Sequence, residues 1–203
     1  FRKLRRGKDF ENESIPDDIY GVSHYVNNPQ LLKRVAKIIK RVRNIYKKRN
    51  VSVGLHSPMN GDNMKEFKKQ LSGEGLKRTS TFKIYAIIDN PAEVILADEI
   101  ISTKIDGLIL NMPRIARQMQ GLKMDDSSAK YDLTRNSVFK VIDNILDIAK
   151  GKADKIIVVI ENSKPLLRYC VQAGVYGVSV SSQDIMEARR TVSEEESKII
   201  LGK

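Results

Sequence analysis

The chain has 203 residues, of which 41% are hydrophobic and 30% charged, and its 36 Lys and Arg against 25 Asp and Glu give a net charge of +11. This composition is typical of a folded globular protein and excludes an intrinsically disordered one. The chain has no apolar run of the roughly 18–20 residues that a membrane helix needs, and its single cysteine, Cys170, excludes an internal disulfide framework and a cysteine-based zinc site. We therefore expect a cytoplasmic protein with no membrane partner.

The positive charge is concentrated in the first quarter of the chain, since residues 1–49 hold 14 basic and 5 acidic residues. Residues 31–50 within this quarter predict a helix, because apolar side chains recur there at spacings of three and four. No acidic residue lies in the segment, and its basic residues are Lys33, Arg34, Lys37, Lys40, Arg41, Arg43, Lys47, Lys48 and Arg49. Two interpretations stay open: a solvated helix face over the core, or a surface that binds RNA, phosphates or an acidic protein.

Short apolar or β-branched runs alternate with helical patterns along the rest of the chain. Strands are predicted at 51–56, 81–88, 105–111, 155–161 and 176–181, and two further candidates lie near residues 1–5 and 21–26. Helices are predicted at 59–71, 91–102, 134–150, 163–174 and 182–190. The helix at 91–102 has the clearest start signals, with Asn90 as the cap, Pro91 at the first helical position and Glu93 in the first turn.

This alternation predicts an α/β fold with a parallel sheet, wound by right-handed βα units. A closed (β/α) barrel needs eight strands and about 250 residues, which is more than this sequence supplies. An open doubly wound sheet is the competing architecture, but it usually carries a glycine-rich nucleotide-binding turn. The nearest string, GEGLKRT at residues 73–79, matches neither the Walker pattern nor G-x-G-x-x-G and is typical of a helix end followed by a turn.

In parallel α/β folds the functional side chains gather at the C-terminal ends of the strands. The residues expected there are Arg5, Arg6, His56, Pro58, Asp89, Asn90, Asn111 to Arg114, Glu161, Asn162 and Ser179 to Ser182. No serine in the sequence has a paired base in a recognisable motif, and two histidines, His24 and His56, are too few for a histidine-rich metal site. We expect both histidines to be structural, and Cys170 to be a small core residue.

The segment GLKRTSTFKIYAIIDNPAEVILADEIISTKIDGLIL, residues 75–110, resembles the C-terminal barrel of phosphoenolpyruvate synthase and pyruvate phosphate dikinase. That family has a basic turn, a strand ending in Glu-x-Pro, an AxxxAD helix and a strand that opens with Asp-Gly. The resemblance continues through residues 118–126 and 172–190 and reaches back to the first residues. It implies a single TIM-like (β/α) barrel domain over residues 1–203, incomplete at its N-terminal edge because its first strands lie upstream of Phe1.

The resemblance also implies a changed metal site. In the family a Glu and an Asp hold Mg²⁺, which bridges the enolate and phosphate oxygens. The resemblance puts Asp89 in the place of the Glu and Arg114 in the place of the Asp, so the charge at the second position is reversed. We expect Mg²⁺ to be lost, with Asp89 as the only remaining metal candidate and an ion pair between Asp89 and Arg114 in the vacated site.

Other family residues are replaced as well. The resemblance puts Tyr20 and His24 in the places of two arginines, and it puts Glu161 near the place of a proton-donating cysteine. Arg2 alone matches a phosphate-binding arginine. Because phosphoryl transfer depends on positioned charge, these replacements together predict a catalytically inactive barrel.

Three functions follow as hypotheses. The first is a non-catalytic binding or scaffold protein that engages RNA, a ribonucleoprotein or an acidic protein partner through the basic first quarter. The second is a surviving phosphoenolpyruvate or pyruvate binder, or an active phosphotransferase of the pyruvate, water dikinase type, with Arg2, Arg5 and Arg114 as anion ligands. The third is a structural module of a large homo-oligomer.

Overall fold

A five-stranded parallel sheet forms the centre of the molecule. The structure is a computed structural model that describes residues 21–122, 130–152 and 155–202. The strands are β1 (Val53–His56), β2 (Ile84–Ile88), β3 (Gly107–Asn111), β4 (Ile156–Val159) and β5 (Gly177–Ser179). They lie side by side in chain order, and each pairs in parallel with the next. The chain therefore has the α/β fold that the sequence predicts.

The strand order distinguishes between the two predicted architectures. A doubly wound sheet reverses its strand order at a switch point, whereas a (β/α) barrel adds each strand beside the previous one. The order β1-β2-β3-β4-β5 has no reversal. Over the described residues the sheet is not closed, which is consistent with the predicted incomplete barrel.

The part of the chain that the structure describes also contains nine helices. They are α1 (Val22–Val26), α2 (Pro29–Asn44), α3 (Gly61–Gly73), α4 (Pro91–Ile95), α5 (Ala97–Ser102), α6 (Met112–Met119), α7 (Asn136–Ala149), α8 (Lys164–Gln172) and α9 (Ile185–Ile200), the last preceded by a 3₁₀ turn at Ser182–Asp184. Asparagine caps begin α2, α3 and α4, where Asn28, Asn60 and Asn90 each accept the backbone N–H three residues on. The sequence therefore fixes the start of these helices by local hydrogen bonding. No helix among the described residues is long and apolar enough to cross a membrane.

The core lies between the sheet and the helices. Alternate residues of β2, namely Ile84, Ala86 and Ile88, are buried on one face of the sheet. Helix α7 contributes Ile142 and Ile145 to the same core. Cys170 on α8 is also buried there, which confirms the prediction that it is a core residue, and burial raises the pKa of its thiol to about 12.

Residues 21–26 are not a strand, which corrects one of the two extra strand candidates. They form α1, which follows Gly21 in a left-handed conformation (φ 72°). A Cβ on Gly21 would lie 2.6 Å from the carbonyl oxygen of His56, so only glycine allows this close approach. The N–H of Val22 donates to the carbonyl of Ser57 (3.3 Å), which places α1 against the C-terminal end of β1. The other candidate, residues 1–5, lies outside the described residues.

The helical predictions need two further corrections. The single helix predicted at 91–102 is divided at Leu96 into α4 and α5. Helix α6 was not predicted at all, although it begins directly after β3 and carries Arg114. Because α6 begins at the end of a strand, it brings an arginine to the edge of the sheet where the other polar side chains lie.

Candidate functional site

The polar side chains expected at the strand ends do gather at the C-terminal edge of the sheet. His56 ends β1, Asp89 directly follows β2 and Asn111 ends β3. The strands are parallel, and His56 pairs with Ile87, which pairs in turn with Ile109. The side chains of His56, Asp89 and Asn111 therefore lie next to each other across the edge of the sheet. The topology therefore creates a polar cluster centred on Asp89.

Asp89 is fully buried, and polar partners surround its carboxylate. Its Oδ2 lies 2.7 Å from Nδ1 of His56 and accepts a bond from Oγ of Ser57 at 3.4 Å. Its Oδ1 accepts a bond from Nδ2 of Asn111 at 2.7 Å and lies 3.7 Å from Nε of Arg114. Three of these groups hydrogen-bond to the carboxylate, whereas Arg114 at 3.7 Å is an ion-pair partner beyond hydrogen-bond distance. The predicted ion pair between Asp89 and Arg114 is thus present.

The ionisation of Asp89 follows from two opposed effects. Burial alone raises the pKa of this carboxyl, because it removes the charged form from water. The hydrogen bond and charge of His56 oppose that effect, together with the charge of Arg114 and the hydrogen bond of Asn111. The net result holds the pKa of Asp89 below its ordinary value, so the carboxylate is negative at neutral pH.

Helix α6 supplies the cation of this cluster. Asn111 precedes the helix as its cap residue; its side chain makes no capping bond, and its Nδ2 donates to Asp89. Arg114 follows on the first turn of α6, one quarter exposed (24%), so its guanidinium reaches from the buried carboxylate toward solvent. Gln118, one turn later, donates to the backbone carbonyl of Asp89 at 2.8 Å. The first two turns of α6 therefore hold both the side chain and the backbone of Asp89.

Glu93 is a buried acid beside Asp89 whose position the sequence did not reveal. Its Oε2 accepts the N–H of Asp89 at 2.8 Å, and its Oε1 accepts the N–H of Met59 at 3.3 Å. Burial raises the pKa of Glu93, and the nearby charge of Asp89 raises it as well. The spacing of Asn90 and Glu93 is that of a capping box, and this signal could have predicted a bond from Glu93 back to the chain before the helix.

A second polar group lies at the end of β4. Tyr131 donates from its hydroxyl to Oε2 of Glu161 at 2.5 Å, and its ring centre lies 5.3 Å from Cζ of Arg117 on α6. Burial and the bond to Glu161 raise the pKa of Tyr131 to about 12. Glu161 has a left-handed backbone (φ 52°), which is uncommon for a residue other than glycine. Of these three residues only Glu161 was predicted to belong to the site.

The remaining predicted site residues are dispersed. His24 lies on α1, half-buried, with its ring edge-on to that of Tyr25 at 5.8 Å. Arg2, Arg5 and Tyr20 lie outside the described residues. The structure therefore brings Asp89 and Arg114 together and places His24 on a separate helix.

The groups that face Asp89 differ from the ligands that Mg²⁺ prefers. This ion prefers near-octahedral oxygen ligands, with one or two carboxylates and several waters or substrate oxygens. Here a guanidinium nitrogen, an imidazole nitrogen and an amide nitrogen face the carboxylate. Among the described residues no group of three or more His, Cys, Asp and Glu side chains is arranged to hold a metal ion.

The basic segment lies on α2 and the turn after it, away from this cluster. Most of its predicted binding residues are exposed: Lys33, Arg34, Lys37, Arg41, Lys47, Lys48 and Arg49, with Lys40 half-buried. Arg43 is different, because its guanidinium donates to the carbonyls of Arg49, Val51 and Thr81 and lies 4.9 Å from the ring centre of Phe82. Arg43 therefore ties the end of α2 to two loops and is unsuited to binding a partner.

Comparison with known proteins finds similarity to a domain family of enzymes that use phosphoenolpyruvate. Residues 19–197 match the family model described as PEP-utilising enzyme, PEP-binding domain. A phosphoenolpyruvate synthase of Aeropyrum pernix is 22% identical over 213 aligned residues, which cover 99% of this chain and 26% of that protein. A probable phosphoenolpyruvate synthase of Staphylothermus marinus is 26% identical over 213 aligned residues. This alignment covers 99% of this chain and 25% of that protein. The chain thus spans about a quarter of the length of these curated relatives.

A solved structure of a citrate synthase variant is also similar, with a TM-score of 0.49 and 12% identity. The superposition covers 84% of this chain and 78% of that chain.

Proposed function

This chain belongs to the family of PEP-binding domains of PEP-utilising enzymes, and from that premise we propose that it is a non-catalytic member that acts as a binding or scaffold protein. It holds no Mg²⁺ at the sheet edge and transfers no phosphoryl group. It binds a partner through the basic residues of α2 and the following turn.

One observation carries the non-catalytic part of the proposal. The carboxylate of Asp89 is buried, it has three hydrogen-bond partners, and the cation beside it is Arg114 at 3.7 Å. A divalent ion would have to displace these groups and approach a fixed guanidinium charge. Phosphoryl transfer depends on positioned metal and charge, so a site without them supports binding and not turnover.

Calorimetry tests this proposal directly. Phosphoenolpyruvate is titrated into the protein at neutral pH, once with Mg²⁺ and once with EDTA, and phosphate release is assayed in parallel. We expect no heat of binding in either titration and no phosphate release above the buffer rate. Binding that requires Mg²⁺, or phosphate release that Asp89→Asn abolishes, would contradict the proposal.

The exposure of Arg114 favours a second candidate function, the binding of phosphoenolpyruvate or pyruvate without metal. One quarter of this side chain is exposed at the sheet edge, so its guanidinium could meet a carboxylate or phosphate there. This candidate predicts heat with EDTA present and loss of that heat in Arg114→Gln. Equal heats for the wild type and this variant would exclude it.

Self-association of the chain is the remaining alternative, since a barrel module can also serve as part of a homo-oligomer. Light scattering after size-exclusion chromatography tests it by mass. A monomeric mass at all concentrations would remove this alternative without affecting the other two.

A further inference from the structure

Two isoleucines stand on the outward face of α2. Ile38 is 61% exposed and Ile45, at the C-terminal end of the helix, is 66% exposed. Residues seven apart lie on one face of an α-helix, so the two side chains form one stripe. The buried residues of α2, Leu32 and Ala36, lie on the opposite side. The apolar pattern of this helix is therefore wider than the core needs, and two of its members are left in water.

Basic side chains lie within and beside this stripe. Positions 34, 38, 41 and 45 are four, three and four residues apart, so Arg34 and Arg41 share one helix face with the two isoleucines. Lys37 lies beside this face. Neither Lys37 nor Arg41 forms an ion pair with a carboxylate in the described part of the chain. We call the surface formed by Arg34, Lys37, Ile38, Arg41 and Ile45 the α2 outer face.

We propose that the α2 outer face docks an acidic amphipathic helix of a partner protein. This proposal rests on the proposed function, of which it names the partner class. Ile38 and Ile45 are one heptad apart, so a helix lying along this face can place an apolar residue against each of them and acidic residues against the basic residues between and beside them. A partner helix with apolar residues at the matching spacing would cover Ile38 and Ile45. Acidic residues on the partner helix would match Lys37 and Arg41 in charge.

An RNA strand fits the same face less well. Phosphates would meet the basic side chains, but they would leave Ile38 and Ile45 without an apolar partner. Single-stranded RNA is held by open aromatic rings on which bases stack. Tyr46, which follows Ile45 in the chain, has the guanidinium of Arg41 5.8 Å from its ring centre, so a base would have to displace this contact.

A designed peptide and a matched RNA test the inference by fluorescence anisotropy. The peptide has three heptads with leucine at a and d and glutamate at e and g, which keeps it from pairing with itself because the glutamates repel. A second peptide of the same composition has its leucines moved to other positions. The RNA is a labelled uridine 20-mer. All three are measured at about 100 mM and at about 300 mM NaCl, since salt screens charge contacts.

The expected result separates the apolar from the charged contribution. The heptad peptide binds, the rearranged peptide binds at least tenfold more weakly, and the higher salt weakens binding. The double variant Ile38→Ser/Ile45→Ser loses at least tenfold in affinity. The control Ile95→Ser removes an exposed isoleucine (74%) on α4 and stays within twofold of the wild type. Equal thermal unfolding midpoints of the three proteins show that the loss is local.

Three results would overturn the inference: no binding of the heptad peptide, equal binding of both peptides, or tighter binding of the RNA with no effect of the isoleucine changes. The last result would identify RNA as the partner class and leave the proposed binding function standing. Failure of the non-catalytic proposal is detected separately, because Mg²⁺-dependent binding of phosphoenolpyruvate at Asp89 does not involve α2.

Discussion

At the scale of single residues, the chemistry of the site depends on how Asp89 is kept ionised while buried. His56, Asn111 and Arg114 all stabilise its negative form, and together they outweigh the cost of burial, so the pKa of Asp89 lies below its ordinary value. A group with a lowered folded-state pKa stabilises the fold above its unfolded pKa, and that stabilisation is lost as the pH falls through the folded value. The network therefore contributes at neutral pH and not in strong acid.

Replacing Arg114 tests this network. We expect Arg114→Gln to lower the free energy of unfolding by about 1–2 kcal/mol at pH 7, because a buried charge loses one of its partners while keeping the others. The difference from the wild type should shrink below about pH 4, where Asp89 is protonated in the unfolded chain and approaches protonation in the folded one. Urea unfolding at several pH values measures it.

Arg189→Gln is the matched control, because Arg189 is exposed on α9 and should lose nothing beyond a few tenths of a kcal/mol at any pH. A loss in Arg114→Gln that is the same at pH 7 and in acid would show that the ion pair is not its cause.

The sequence predicted the pairing of Asp89 with Arg114 because the family resemblance aligns both with one site. It did not predict that His56 and Asn111 complete the network. Both were expected at strand ends, but which side chains turn toward the same carboxylate depends on strand register, and no sequence pattern states the register. His56 was expected to be structural, and its bond to a buried carboxylate is compatible with that role.

At the scale of elements, the loops after β1 and β2 are joined through Glu93 at the start of α4. Its two carboxylate oxygens accept backbone N–H groups from both loops, that of Met59 after β1 and that of Asp89 after β2. The first loop is also strained, with left-handed backbones at Ser57 (φ 45°) and Met59 (φ 62°). Glu93 thus holds an unfavourable loop conformation in place beside the polar cluster.

Removing Glu93 should release this connection. We expect Glu93→Ala to lower the free energy of unfolding by about 2–4 kcal/mol, because two backbone donors lose their acceptor. Hydrogen exchange should show faster exchange at the amides of Met59 and Asp89 and little change in β4. Glu99→Ala, an exposed glutamate on α5, should change neither quantity. Unaltered exchange at both amides would show that Glu93 does not hold the loops.

Helix α6 shows where sequence reasoning failed at this scale. The segment after β3 has an asparagine two residues before Pro113, a start signal close to that of Asn90 and Pro91. The segment was interpreted only as a strand end, since eight residues are few for a recognisable helical pattern. Its cap residue, Asn111, makes no capping bond with its side chain, and its Nδ2 donates a hydrogen bond to Asp89. The helix that carries Arg114, α6, was therefore the element that was hardest to recognise in the sequence.

At the scale of the whole molecule, the parallel sheet sets the position of every residue in the polar cluster. Where β3 passes the start of β4, Gly107 leaves room for the neighbouring backbone. A Cβ on Gly107 would lie 2.2 Å from the carbonyl oxygen of Lys155, a distance that requires the strands to move apart. This glycine is thus a requirement of the pairing and not of a turn.

Gly107→Ala should therefore disturb the sheet, with an expected loss of about 2–4 kcal/mol in the free energy of unfolding, because the added methyl group has no space. Gly73→Ala is the matched control. Gly73 ends α3 with nothing near the added atom, and alanine there should cost nothing or stabilise by up to about 1 kcal/mol. Denaturant unfolding of both variants measures the contrast, and equal stabilities would contradict the described packing.

The five strands and their parallel order were predictable, because a short apolar run followed by a helical pattern was repeated along the chain. The helix at residues 21–26 was not, since Val22 and Val26 suit one helical face and a short strand equally well. The wide apolar stripe of α2 also suggested a broader core contact than exists. Exposure of Ile38 and Ile45 depends on how the helix is rotated against the sheet, and spacing alone does not fix that rotation.

The central claim, that Asp89 is already satisfied by protein groups and holds no divalent ion, is tested most directly with Mn²⁺, an oxygen-seeking ion whose free form is read by electron paramagnetic resonance. The protein is titrated with Mn²⁺ at neutral pH in the presence of phosphoenolpyruvate. The predicted signal is that of the same mixture without protein, with Asp89→Asn giving an identical trace. Stoichiometric loss of the free Mn²⁺ signal in the wild type, restored by Asp89→Asn, would contradict the claim.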